Sequence, residues 1–143
     1  MKIFLDANIC LDLLDTTRPT SEDSKNGIFT IKTMKNLSFI FQGILSQLFT
    51  TYLLKKENMM QKTLQAIDML CNEINPHYIT HIDFKNAKVY FFNDVFEDFE
   101  DLLILQSATR IKCNYFITND KKLLRLSNFY NINIVSPKNR GDL

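Results

Sequence analysis

Two carboxylates follow short apolar runs that have the composition of buried β-strands. Asp6 comes directly after residues 3–5, and Asp120 comes three residues after the run 115–117. A helical pattern begins after each acid. In an open parallel sheet, ligands bind at the carboxyl ends of the strands, so both acids are candidates for a binding or catalytic site. Either acid could instead serve only as the cap of the helix that follows it.

A second group of acids opens the strongest helical pattern in the chain. Its members are Asp94, Glu97, Asp98, Glu100 and Asp101. Acids in a first helical turn are ordinary, because they meet the positive end of the helix. That reading explains Asp101 less well, since Asp101 falls at helical spacing with Leu105 and Ala108, on an apolar stripe where an unpaired carboxylate is costly. Asp98, one turn earlier on the same side, is the second candidate.

Carboxylates that meet at one edge of a sheet repel one another, and a divalent cation among them makes the arrangement tolerable. Oxygen ligands of this kind select Mg²⁺ or Mn²⁺ rather than zinc. The commonest chemistry of a magnesium site built from acids is phosphoryl transfer, which includes the hydrolysis of phosphodiester bonds. The sequence therefore predicts a metal-dependent site for a phosphodiester substrate.

Composition narrows the class of protein. The chain has 143 residues, 45% of them apolar, and a formal net charge of +1, so we expect a single domain over residues 1–143 with one substantial core. The net charge does not indicate a nucleic-acid-binding protein, so any RNA contact must come from local basic patches. Three widely spaced cysteines fit neither a disulfide framework nor a zinc site. With no signal-like start and no bilayer-length apolar run, we expect a cytoplasmic setting.

Strands and helices alternate along the chain. Predicted strands cover residues 3–5, 37–44, 77–82, 114–120 and 132–137. Predicted helices cover residues 9–14, a stretch from Thr20 or Ser21 through Met34, and residues 45–57, 58–74, 83–92, 97–112 and 121–129. Asn8 is the expected N-cap of the first helix. This alternation predicts an α/β fold, a three-layer α/β/α sandwich with a central, mainly parallel sheet.

Three stretches resemble motifs of PIN-domain ribonucleases, especially the VapC-like toxins of bacterial toxin–antitoxin pairs. They are IFLDANICLDLLD at residues 3–15, DFEDLLILQSA at residues 98–108 and YFITNDKKL at residues 115–123. Each motif is weak alone, whereas the order and spacing of all three fit across nearly the whole chain. The resemblance implies a PIN-like fold and an endoribonuclease that depends on Mg²⁺ or Mn²⁺. It also implies a small antitoxin as partner and a homodimer.

The resemblance assigns roles to individual residues. Asp6, Asp101 and Asp120 match the catalytic, metal-coordinating positions, and Asp98 matches a frequent accessory acid in the same metal site. Asn8 and Thr118 match polar residues that support the site. Two histidines, His77 and His81, receive no role, because no nucleophile pattern lies near them.

One position departs from the family pattern. The family usually carries a Glu, and in some branches an Asn, on the helix after the second strand, where this chain has Phe49 or Thr50. Glu57 falls about two turns too late. We therefore expect one well-held metal ion rather than two. The alternative function is a PIN-like binding module that is catalytically impaired.

Two surface patches complete the expectations. Lys121, Lys122 and Arg125 follow Asp120 directly and are candidates for RNA contacts, as is Arg18 after the first helix. Lys55 and Lys56 could add to them. The crowded phenylalanines Phe91, Phe92, Phe96 and Phe99 offer partial support for an interface between two copies.

Overall fold

The computed structural model describes residues 1–32, 38–42 and 60–139. The strands within them are β1 (Lys2–Leu5), β2 (Ser38–Gln42), β3 (Asn75–His77), β4 (Tyr115–Ile117), β5 (Asn128–Phe129) and β6 (Ile132–Val135). The helices are α1 (Ala7–Leu14), α2 (Ser21–Lys32), α3 (Met60–Glu73), α4 (His81–Phe92), α5 (Phe99–Arg110) and α6 (Lys121–Leu126). Residues 45–57, where the sequence predicts a helix bearing Phe49, Thr50 and Glu57, lie outside this description.

The described strands form one sheet in the order β3-β2-β1-β4-β6-β5. Every neighbouring pair is parallel except β5 with β6, which is antiparallel. The prediction of an α/β fold with a central, mainly parallel sheet is confirmed. The first strand lies in the interior of the sheet beside β4, which comes more than a hundred residues later in the chain. Their register aligns Leu5 with Ile117, so the polar residues that follow both strands emerge at the same edge.

Alternating side chains of β1 divide the core between the two faces of the sheet. Ile3 and Leu5 pack with the buried residues of α1, α2 and α3, whereas Phe4 points to the other face, where α4, α5 and α6 supply the core. There Phe4 stacks on Phe116 of β4 with ring centroids 5.5 Å apart. Because both faces are covered, these strands read as continuous apolar runs rather than as alternating ones.

Two predicted boundaries are wrong for local reasons. The strand expected at 77–82 lies instead at Asn75–His77, and helix α4 begins at His81. Asp83 accepts hydrogen bonds from the backbone N–H and the hydroxyl of Thr80, at 2.8 and 3.0 Å, and this arrangement starts the helix two residues earlier than predicted. The helix expected at 121–129 ends at Leu126, because Ser127 has a φ of 60°.

Helix α2 packs closely against the segment that follows β6. A Cβ atom built on Gly27 would lie 2.6 Å from the carbonyl oxygen of Pro137 and 2.8 Å from its Cβ. Only glycine allows this approach, so the backbones of the two segments are in direct contact.

No helix within the described residues is long and apolar enough to cross a membrane.

Candidate active site

Asp6 occupies the junction between β1 and α1. One carboxylate oxygen, Oδ1, accepts from the backbone N–H of Ala7 at 2.6 Å, which makes Asp6 the N-cap of α1. The prediction that Asn8 is this cap is wrong, because the helix already begins at Ala7. The other oxygen, Oδ2, accepts from the hydroxyl of Thr118 at 2.5 Å and from the amide of Asn8 at 2.7 Å. Only 7% of Asp6 is exposed.

Burial raises the pKa of Asp6 above its ordinary value. The hydrogen bonds from Thr118, Ala7 and Asn8 oppose this rise, and the negative charge of Asp120 adds to it. The carboxylate is thus held in a fixed orientation, although its ionised form is electrostatically disfavoured at this position. A positive charge placed nearby would stabilise its ionised form.

Asp120 begins α6 at the end of the neighbouring strand. Its Oδ1 accepts from the backbone N–H groups of Lys122 and Leu123, at 2.7 and 3.3 Å. Its own backbone N–H donates to Thr118 Oγ1 at 2.9 Å. The Thr118 hydroxyl therefore ties the two strand-end acids together, because it accepts from Asp120 and donates to Asp6. The second oxygen of Asp120 accepts no hydrogen bond from the described residues.

Asp98 and Asp101 come to the same place from the start of α5. Asp98 is exposed and caps the helix, accepting from the backbone N–H groups of Glu100 and Asp101 at 2.9 and 3.2 Å. The Asp101 side chain is half-buried, and its carboxylate has no hydrogen bond or ion pair within the described residues.

The charges that act most strongly on Asp101 among the described residues are all negative. Burial raises its pKa to about 7, and the charges of Asp98, Asp6, Asp120 and Glu100 contribute to the rise in that order. The four acids that the sequence singles out therefore lie close enough to act on one another. Capping explains the positions of Asp6, Asp98 and Asp120, as the simpler reading proposes, but it does not explain Asp101.

The donor set has the chemistry of a site for a hard cation. All of its candidate ligands are carboxylate oxygens. Within the described residues, the Asp101 carboxylate has no partner and the Asp120 carboxylate has one oxygen that accepts no hydrogen bond. In residues 1–32, 38–42 and 60–139, no three side chains of His, Cys, Asp or Glu already surround a common point that could hold a metal. A cation would therefore have to draw the carboxylates closer together.

Behind these acids lies a polar network that sequence reasoning missed. Its centre is Asp12, a fully buried residue of α1. The carboxylate accepts from Arg18 and Thr20 on one oxygen and from Ser24 and Asn119 on the other. The argument that marks Asp101, an acid on an apolar helical stripe, would also have marked Asp12, because Asp12 lies three residues after the buried Ile9.

The basic residues predicted to contact RNA lie in two settings. Lys121, Lys122 and Arg125 are exposed on α6, next to Asp120. Lys122 forms an ion pair with Glu97 at 2.6 Å. Arg18 is drawn inward, with its Nε 2.6 Å from the buried carboxylate of Asp12. Lys55 and Lys56 fall outside the described residues.

The four predicted interface phenylalanines separate into two kinds. Phe96 and Phe99 pack against the core on the α4 and α5 face. Phe92 is 73% exposed and Phe91 is 39% exposed. Phe91 touches Phe99 edge to face, with centroids 5.7 Å apart. The aromatic surface that is available to a partner is therefore smaller than the sequence predicts.

Solved structures share this architecture over almost the whole chain. The VapBC2 structure from Rickettsia felis, bound to a DNA fragment from its promoter, matches with a TM-score of 0.70 and 16% identity, over 95% of this chain and 98% of that one. The chain has the PIN-domain fold. No protein-family model matches the sequence, and no curated protein does.

Two further structures support this PIN-fold assignment. VapC20 from Mycobacterium tuberculosis, described as a Sarcin-Ricin loop cleaving toxin, matches with a TM-score of 0.68 and 13% identity, over 92% of this chain and 98% of that one. VapBC-1 from nontypeable Haemophilus influenzae matches with a TM-score of 0.70 and 17% identity, over 96% and 98% of the two chains. Because the sequence identities are this low, the likeness to the three structures establishes the shared fold alone.

Proposed function

We propose that this protein is a metal-dependent endoribonuclease that acts as the toxin of a toxin–antitoxin pair. The observation that carries the proposal is the convergence of Asp6, Asp98, Asp101 and Asp120 at one edge of a PIN-fold sheet. A protein of the same fold is described as a toxin that cleaves the Sarcin-Ricin loop. A carboxylate cluster in which Asp101 has no hydrogen bond or ion pair within the described residues suits phosphodiester hydrolysis better than it suits a purely structural role.

The cation that this donor set fits is Mg²⁺ or Mn²⁺, held by Asp6, Asp101 and Asp120 with Asp98 as an accessory ligand. When bound, such an ion supplies activation of water and stabilisation of negative charge on the scissile phosphate. The chain's own residues position the ligands: the Thr118 hydroxyl and the Asn8 amide fix the orientation of the Asp6 carboxylate. Asp120 is fixed by the first turn of α6.

Binding of the RNA backbone falls to the basic residues around the acids. Lys121, Lys122 and Arg125 follow Asp120 on an exposed helix, whereas Arg18, the fourth residue predicted to contact RNA, pairs with the buried Asp12. Contacts of this kind position phosphates without reading sequence, so binding should weaken as salt rises. The Lys122–Glu97 pair would open easily, because both side chains are largely exposed to solvent.

The assembly we propose is a cytoplasmic homodimer that is inhibited by a small antitoxin protein. Two of the structural neighbours are described as VapBC assemblies. The exposed rings of Phe91 and Phe92 supply apolar surface for contact between copies. A monomeric sedimentation profile at micromolar concentration would contradict the dimer.

A catalytically impaired binding module of the same fold is the second candidate. The residues Phe49 and Thr50, where the resembling family carries an acid, favour it. The Asp101 carboxylate, which has no partner among the described residues, argues against it, because a module that holds no metal gains nothing from acids that repel one another.

Cleavage of a single-stranded RNA by the purified protein tests the two candidates. We expect cleavage to require Mg²⁺ or Mn²⁺, to stop in EDTA, and to fall at least about 100-fold in Asp6→Asn and in Asp101→Asn. Asp94→Asn is the matched control, because Asp94 is an exposed acid of the same sequence cluster and its φ of 53° is one that Asn adopts readily. RNA loss that persists in EDTA or in Asp6→Asn would rule out the proposed nuclease.

A further inference from the structure

Asp12 is a buried acid to which the proposed function gives no role. None of its surface is exposed. Its Oδ1 accepts from Arg18 Nε at 2.6 Å and from Thr20 Oγ1 at 2.9 Å. Its Oδ2 accepts from Ser24 Oγ at 2.6 Å and from Asn119 Nδ2 at 2.9 Å. Four donors from three separate parts of the chain therefore converge on one carboxylate.

Asn119 connects this carboxylate to the acidic site. It lies between Thr118 and Asp120, and its backbone N–H donates to Asn8 Oδ1 at 3.1 Å. The amide of Asn8 in turn donates to Asp6 Oδ2 at 2.7 Å. A continuous path of hydrogen bonds thus runs from Asp12 through Asn119 and Asn8 to Asp6.

We propose that Asp12 is a positioning residue, which holds the segment 118–120 in register with Asp6 and so sets the geometry of the acidic site. The role rests on the proposed function, since it concerns the placement of that site's ligands. Asp12 itself touches neither substrate nor cation. It acts through the side chain of Asn119, which it orients, and through the backbone that Asn119 belongs to.

The chemistry of the network requires a carboxylate at position 12. Each of its two oxygens accepts two hydrogen bonds, so an amide at this position would turn its NH₂ group toward two donors and lose both of those bonds. Arg18 supplies the compensating charge, which makes burial of the ionised form tolerable. The carboxylate also fixes the donor direction of Asn119, and small displacements of a catalytic ligand carry large penalties in rate.

The competing explanation is that Asp12 only fastens α1 to α2. Its backbone carbonyl accepts from Ser21 Oγ at 2.6 Å, and Ser21 is 2% exposed. Ser21→Ala therefore removes a buried hydrogen bond of the α1–α2 contact without touching the Asp12 carboxylate. Asn119→Ala removes the side-chain link toward the acidic site and leaves the bonds from Arg18, Thr20 and Ser24 to Asp12 in place. These two variants separate the explanations.

The first measurement is hydrogen exchange of the backbone amides of residues 118–120 in the metal-free protein. Each of them is hydrogen-bonded, to Val135 O, Asn8 Oδ1 and Thr118 Oγ1 respectively. We expect exchange at these three amides to accelerate at least about 10-fold in Asn119→Ala and in Asp12→Asn. In Ser21→Ala we expect them to keep their wild-type rates relative to the rest of the sheet, although the melting temperature falls.

The second measurement is calorimetric titration with Mn²⁺ alone, followed by steady-state cleavage of a single-stranded RNA. We expect Asn119→Ala to bind Mn²⁺ about 10- to 100-fold more weakly and to lose kcat by a similar factor, with an unchanged KM for RNA. Ser21→Ala should match the wild type in both. Wild-type exchange rates in Asn119→Ala, or equal acceleration in Ser21→Ala, would overturn the positioning role.

Failure of the proposed function gives a different pattern. If the wild-type protein binds no Mn²⁺ and cleaves no RNA, the nuclease proposal fails. The exchange rates at residues 118–120 still decide whether Asp12 positions that segment, because they are measured without metal or substrate.

Discussion

Asp83 and Asp101 are two carboxylates on the same face of the sheet whose pKa values are shifted in opposite directions. Asp83 is fully buried, and Arg110 grips it with two hydrogen bonds of 2.8 and 3.0 Å. Burial raises the pKa of Asp83, but the hydrogen bonds from Arg110 and Thr80 and the charge of Arg110 outweigh burial and hold it below its ordinary value. Asp101 is less buried, forms no ion pair within the described residues, and has a pKa raised to about 7 by burial and by neighbouring acids.

The comparison separates structural from functional acids better than burial does. A partnered carboxylate such as Asp83 joins α4 to α5 and is satisfied within the protein. A carboxylate such as Asp101, which has no partner in the part of the chain that the structure describes, is stabilised in its ionised form when a cation binds beside it. The predictions below test this distinction by removing or supplying the missing partner.

The largest expected effect follows from removing Asp83. Asp83→Ala leaves the Arg110 guanidinium without its carboxylate and Thr80 without its helix-starting bond, so the free energy of unfolding should fall by about 3 kcal/mol. Urea unfolding measures it. Glu73→Gln is the control, because the Lys32–Glu73 pair is exposed and its loss should go undetected. A similar loss of unfolding free energy in both variants would show that the Asp83–Arg110 pair contributes no more than an exposed surface pair.

A bound cation should stabilise the ionised carboxylate of Asp101, as Arg110 stabilises that of Asp83. Mn²⁺ at about 100 times its dissociation constant should raise the free energy of unfolding by about 2.7 kcal/mol. Calorimetry should show one tight ion per chain, and Phe49→Glu or Thr50→Glu should tighten binding. The shift should disappear in Asp101→Asn and persist in Asp94→Asn. Two tight ions in the unaltered chain would contradict the single-ion prediction.

Neutralising Asp101 should change stability in the direction opposite to Asp83→Ala. Without metal at pH 8, Asp101→Asn should raise the free energy of unfolding by about 1–2 kcal/mol, after allowing for screening by solvent at a half-buried site. The same variant should be inactive on RNA. A variant that is both less stable and less active would mean that the Asp101 carboxylate has a structural partner.

The smallest expected effect is a change in the free energy of unfolding with pH, and its sign follows from the raised pKa of Asp101. A carboxyl whose folded pKa is raised favours the folded state below its unfolded pKa, near 4, and this contribution disappears as the pH rises to about 7. In EDTA, the stability advantage of Asp101→Asn over wild type should therefore grow by about 1 kcal/mol between pH 5 and pH 8. Asp83 behaves oppositely, because its contribution is present above about pH 4 and is lost on acidification. A constant difference between variant and wild type would contradict the raised pKa.

Local pattern was sufficient to predict β1, β4 and the acids at their ends. Apolar runs bounded by polar residues define these strands, and the helical spacing of Asp101 with Leu105 needs no tertiary information. Asp12 shows where such reasoning stops, because its partners lie from 6 to 107 residues away in sequence. Only the parallel pairing of β1 with β4 brings Asn119 to it.

Boundaries failed where one residue overrode a pattern. Residues 121–129 continue a helical composition past the point where the φ of Ser127 ends the helix, and Asn128–Phe129 then pairs with β6 instead. The predicted start of α4 at Asp83 is two residues late, because Asp83 lies in the first turn of a helix whose N-cap is Thr80. The roles of the acids in catalysis remain predictions.

The hydrogen bond between Thr118 and Asp6 joins residues 112 positions apart in the chain. During synthesis the amino-terminal acid therefore leaves the ribosome long before the strand that completes its surroundings. A chain interrupted before residue 115 carries Asp6, Asp98 and Asp101 but lacks β4, Thr118 and Asp120. The proposed nuclease would consequently remain inactive until the segment that contains β4, Thr118 and Asp120 has been made, and products that end before residue 115 would be inactive as well.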